Sequence, residues 1–133
     1  MKNPDMTQTY SVFIVDDDRF LLDMYAVKFK SAGVNVSAFQ SGEDMLVKLR
    51  DGSAPDAILL DIVMPGLDGF GVLEIIRKEK LAPKTKIIIL SNQGQDSDIE
   101  RATKLGAAGY IVKASAIPSE VLSQTLAIVG TGT

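Results

Sequence analysis

Ala57-Ile58-Leu59-Leu60-Asp61-Ile62-Val63-Met64-Pro65-Gly66-Leu67-Asp68-Gly69 is the stretch on which the reading of this chain turns. Its apolar half reads as a buried strand, Asp61 is a carboxylate at the strand's exit, and Met64 to Gly69 turns the chain. A charge is rarely left at the end of a buried run without a partner or a task. A second apolar run, Ser11-Val12-Phe13-Ile14-Val15, exits into Asp16-Asp17-Asp18. If the two strands are neighbours, carboxylates from both converge, and such a cluster repels itself unless a cation binds it.

Working outward, strands and helices alternate. A helix is predicted over 19–32, with Leu21, Tyr25 and Phe29 on one face and Gly33 placed as a C-terminal glycine. A strand over 34–39 follows. Ser41, three before Asp44, then starts a helix that uses Met45, Leu46 and Leu49. Gly52 and Pro55 break the chain before the strand over 57–60. A third helix over 69–79 buries Val72, Leu73 and Ile76. A strand over 86–90 ends at Ser91-Asn92, and a short amphipathic helix over 96–105 turns Ile99, Ala102 and Leu105 inward. A strand over 109–112 exits at Lys113. The last helix opens near Pro118 and buries Val121, Leu122, Leu126 and Val129. The domain is therefore expected over 11–129, with an N-terminal extension over 1–10 and a tail or linker over 130–133.

Five strands alternating with five helices imply an α/β fold: a five-stranded parallel sheet with helices on both faces. Right-handed crossovers leave few topologies, and ligands in such sheets sit at the carboxyl ends of strands where the order reverses. An order of 2-1-3-4-5 would bring Asp16, Asp17, Asp61, Ser91 and Lys113 to one rim.

Composition narrows the chemistry. The chain has 133 residues, 46% hydrophobic and 23% charged, which suits one folded domain and excludes general disorder. A net charge of -3 gives no general attraction to nucleic acid or anionic membrane. No apolar run is long enough to span a bilayer, and the first residues lack the apolar core of a signal peptide. A cytoplasmic location is expected. No DNA-binding segment is legible after the last helix, so output through a partner is expected. Cysteine and histidine are both absent, which excludes disulfides, thiolate sites, Ser-His-Asp catalysis and histidine metal ligands. A metal held here would be held by oxygen, favouring Mg2+, Mn2+ or Ca2+.

Three aspartates, one lysine and one divalent cation sum to about zero charge. That combination draws negative charge off a phosphoryl group, so a carboxylate beside it can attack phosphorus and become an acyl phosphate. Ser91 offers a hydroxyl donor. Asp18 and Asp68 read instead as turn or cap residues. Gly66-Leu67-Asp68-Gly69-Phe70-Gly71 lacks a following Lys-Ser/Thr and reads as a turn and helix start, not a nucleotide loop.

Four segments in this order resemble the receiver domain of two-component response regulators, over nearly the whole chain. They are Val15-Asp16-Asp17-Asp18, Leu60 through Gly69, Leu90-Ser91, and Gly106-Ala107-Ala108-Gly109-Tyr110-Ile111-Val112-Lys113. The resemblance, to chemotaxis-type single-domain regulators in particular, implies a flavodoxin-like fold. It implies Asp61 as phosphoacceptor and a Mg2+ site (Mn2+ as the alternative) at Asp16, Asp17, Asp61 and the backbone carbonyl of Val63. Lys113 would pair with Asp61 and then with the phosphoryl group, while Ser91 and Tyr110 would move as the switch. A histidine kinase or histidine phosphotransfer protein would be the donor. An output domain or effector would read the face made by the fourth helix, fifth strand and fifth helix. Direct nucleic-acid or membrane binding is not implied.

Three positions depart from the family pattern. Ala114 stands where Pro is usual, so a trans peptide is expected there. Asn92 replaces a small residue and is expected to crowd the phosphoryl site. Val63 places an apolar side chain near the phosphate and is expected to alter dephosphorylation. Two rival readings remain distinct. A haloacid-dehalogenase-type phosphatase needs an aspartate at the place of Val63, which counts against it. A receiver-like adaptor would bind partners without phosphorylation.

Overall fold

In the computed structural model, which describes residues 9–130, the apolar runs become β1 (Ser11–Val15), β2 (Asn35–Phe39), β3 (Ala57–Leu60), β4 (Lys86–Ser91) and β5 (Gly109–Val112). They pair in parallel in the order β2-β1-β3-β4-β5. The helices are α1 (Arg19–Ser31), α2 (Gly42–Arg50), α3 (Gly69–Lys78), α4 (Asp96–Lys104) and α5 (Pro118–Gly130). The terminal segments 1–8 and 131–133, most of the expected extension and tail, lie outside the described residues.

The central strands are apolar on both sides because both faces are covered. Alternate residues serve different layers. Phe13, Val15, Ile58, Leu60, Ile87 and Ile89 pack with Met45, Leu46 and Leu49 of α2 and Phe70, Leu73 and Ile76 of α3. Val12, Ile14, Leu59, Ile88 and Leu90 pack with Leu22, Tyr25 and Phe29 of α1 and Val121 of α5. Register aligns the strand ends: Val15 lies opposite Phe39 and Leu60, and Leu60 opposite Ile89.

Three helix faces differ from the periodic reading. In α1 the buried positions are Leu22, Tyr25, Ala26 and Phe29, with Leu21 only partly covered, since α1 meets the sheet one position round from the Leu21 stripe. In α4 only Ala102 is fully buried, and Ile99 and Leu105 are half-exposed. In α5 the buried pair is Val121 and Thr125, while Leu122, Leu126 and Val129 are partly covered. Thr125 tolerates burial because its hydroxyl donates to the Val121 carbonyl at 2.7 Å. A single 3₁₀ turn over Lys113–Ser115, unforeseen, joins β5 to the loop before α5. No cis peptide occurs among the described residues, so the bond after Lys113 is trans. No helix among them is long and apolar enough to cross a membrane.

Candidate functional site

Asp16 and Asp61 sit one step beyond a paired register, Val15 with Leu60, so adjacency of β1 and β3 brings them together. Backbone bonds extend that pairing: Asp61 N–H donates to Val15 O and Asp16 N–H to Phe39 O, both at 3.1 Å. Asp18 caps α1, its carboxylate accepting from Leu21 N–H, and Asp68 caps α3, accepting from Gly71 N–H at 2.8 Å. The cap and turn reading of these two aspartates therefore holds.

One oxygen from each of Asp16, Asp17 and Asp61 lies within 4.8 Å of the others. Asp16 and Asp61 are only 2% and 6% exposed, and Asp17 opens to solvent. Lys113 reaches in from the end of β5. Its Nζ is 2.5 Å from Asp16 Oδ2 and 3.4 Å from Asp61 Oδ2, so the tighter contact is with Asp16. Ser91, at the end of β4, is fully buried. Tyr110 is partly buried beside the core layer of α2 and α3. Val63 exposes its side chain, while its backbone N–H lies close enough to the Asp61 carboxylate to favour the charged form. Asn92 is exposed.

Burial pushes the Asp61 carboxyl up to about 6, with the negative charge of Asp16 adding to the rise. The Lys113 cation and the Val63 N–H oppose it without cancelling it. Lys113 is pulled down by burial, but its hydrogen bond with Asp16 and the charges of Asp61 and Asp16 win, leaving it above its ordinary value. Tyr25 is raised, chiefly by burial, and also feels all three groups, Lys113, Asp16 and Asp61. Its helical stripe marked it as core, and nothing local marked it as a neighbour of the site.

A second unread residue is Gln93. Its N–H donates to Ser91 Oγ at 3.2 Å, and its carbonyl accepts from the Tyr110 hydroxyl. One residue thus ties Ser91 to Tyr110 through its backbone, which leaves no side-chain signal in a sequence.

The donor set is all oxygen, two of the three carboxylates are buried, and one lysine offsets one charge of three. A hard divalent cation fits such a group.

The family model for the response regulator receiver domain matches residues 12–125. A probable transcriptional regulator, ycf27, of Guillardia theta is 36% identical over 109 residues, covering 82% of this chain and 41% of that protein. The transcriptional regulatory protein AfsQ1 of Streptomyces coelicolor is 35% identical over 103 residues, covering 77% of this chain and 44% of that one. The chain therefore spans less than half the length of these curated relatives. The receiver domain of Francisella response regulator 1452 superposes with a TM-score of 0.83 at 26% identity, covering 94% of this chain and all of that one.

Proposed function

The chain belongs to the response regulator receiver family, and from that premise we propose that it is a phosphorylation-dependent signalling switch with Asp61 as phosphoacceptor. The observation that carries this is one arrangement: a buried carboxylate 3.4 Å from Lys113, with one oxygen each of Asp16, Asp17 and Asp61 within 4.8 Å of one another.

An Asp61 oxygen attacks phosphorus and forms a mixed anhydride, while the bond from phosphorus to the donor's imidazole nitrogen or acyl oxygen breaks. These 133 residues contain no histidine, so the phosphoryl donor lies outside them: a histidine kinase, a histidine phosphotransfer protein or a small acyl phosphate. Asp16, Asp17, Asp61 and the Val63 carbonyl would hold Mg2+, which when bound would neutralise charge on the phosphoryl oxygens. Lys113, shared between two carboxylates, shifts toward the new phosphoryl oxygens. Ser91 donates its hydroxyl hydrogen to them. Gln93 transmits that change to Tyr110, and the face of α4, β5 and α5 presents it to an output domain or effector. The switch occupies 11–129, acts in the cytoplasm and is a signalling module, not a turnover enzyme.

Incubation with Mg2+ and acetyl phosphate is expected to add one phosphate by intact-mass measurement, and Asp61→Asn none. Equal labelling of the variant would move the acceptor elsewhere.

A further inference from the structure

The opposite end of the sheet carries a cavity of about 590 Å³, lined by Arg77, Pro83, Lys84, Thr85, Lys86, Gly106 and Ala108. Three of these are cations and none is an acid, although the chain as a whole carries a net charge of -3. Lys84 and Lys86 form no ion pair among the described residues. Two neighbouring acids bond elsewhere: Glu79, two residues after Arg77, and Asp56, whose backbone carbonyl accepts from Lys86 N–H. Glu79 is held by Arg50 through two hydrogen bonds, at 2.9 and 2.8 Å, and the Asp56 carboxylate accepts from Ser11 N–H.

The cationic lining is also partly fixed in place. Arg77 donates from Nε to the Leu105 carbonyl at 2.8 Å and from Nη2 to the Gly106 carbonyl at 2.7 Å, which immobilises its guanidinium and, among the described residues, leaves three N–H donors unspent. Lys84 sits in a turn closed by Thr85 N–H donating to the Ala82 carbonyl. Ala82 holds a φ of +40° there, a conformation a residue with a side chain adopts only under constraint. Among the described residues the backbone N–H of Lys84 has no hydrogen-bond partner. The Thr85 hydroxyl is already donated to the Pro55 carbonyl. What the cavity offers is therefore positive charge and free donors.

We infer that this cavity, remote from Asp61, is a binding site for a small phosphorylated anion, held by Arg77, Lys84 and Lys86. The volume lies within the range of small-molecule sites and admits a ligand with more than one anionic group. The inference is independent of the role given to Asp61.

Pyrophosphate titrated into the full chain in metal-free buffer is expected to bind saturably, with amide NMR shifts confined to the neighbourhood of Arg77 and to 84–86 and 106–108. Lys84→Gln with Lys86→Gln should weaken binding about tenfold or more and leave acetyl phosphate labelling of Asp61 intact. Lys78→Gln with Lys80→Gln removes the same charge outside the cavity and should change affinity by less than about twofold. ATP binding more tightly than pyrophosphate supports the site and points to a nucleotide. Equal affinity supports it with phosphate as the recognised group. Non-saturating shifts, or equal losses in the two double variants, would mean diffuse charge attraction and overturn the site.

Discussion

Asp61 is held against its own electrostatic preference. Its carboxyl is raised from 3.8 to about 6, burial contributing most. A folded-state value above the unfolded one means the folded protein binds more protons between about pH 4 and 6, so stability is expected to fall as pH rises through that window. Above it the full cost of burying the charged form remains, on the order of 2–3 kcal/mol. Asp61→Asn should therefore raise the stability of the metal-free protein at pH 7 by about 2 kcal/mol and flatten its dependence between about pH 4 and 6. Urea denaturation of both proteins across that range checks this, and parallel curves would contradict it. The exit position of Asp61 was legible from its apolar approach. The size of the cost was not, because burial is conferred by segments far away in the chain.

Among the elements, the turn from β3 to α3 is built with no room for a side chain at Gly69. Gly69 N–H donates to the Ile62 carbonyl at 2.8 Å, and a Cβ at Gly69 would lie 2.2 Å from the Asp61 carbonyl oxygen and 2.7 Å from Ile62 Cα. Those atoms are backbone and cannot swing away. Gly69→Ala is expected to cost about 1–3 kcal/mol and to displace the Asp61 backbone, lowering the labelling rate as well as the melting temperature. Unchanged values for both would show that the turn yields. Asp68→Ala, which removes only the cap of α3, should cost about 1 kcal/mol by denaturation with little effect on labelling.

Helix α4 is held differently. It fully buries only Ala102; Arg77 of α3 bonds to the carbonyls of Leu105 and Gly106 just past its end, and Arg101 lies 4.2 Å over the Phe70 ring. Arg77→Met is expected to speed amide exchange in the last turn of α4 while leaving α1 unchanged. The amphipathic pattern of 96–105 announced the helix but overstated its burial, because polar clamps carry what apolar packing was expected to supply.

For the molecule as a whole, the acidic rim and the fold are coupled through the proposed cation. Binding to the folded state alone adds stability with ligand concentration, about 2.7 kcal/mol at a hundred times Kd. Added Mg2+ should raise the melting temperature of the parent and shift Asp17→Asn much less; equal shifts would place the ion elsewhere. Strand identity, the alternation of β and α, and the gathering of Asp16, Asp17, Asp61, Ser91 and Lys113 at strand exits were determined by the chain's own pattern. Periodicity and turn chemistry act over a few residues, and right-handed crossovers leave little freedom in joining them. The tertiary structure alone decided that Lys113, 97 positions from Asp16, approaches it more closely than it approaches Asp61. It alone decided that Gln93 bridges Ser91 to Tyr110 and that three cations line one cavity. Distances, burial and shared hydrogen bonds are set by how remote segments pack, and no local pattern encodes them.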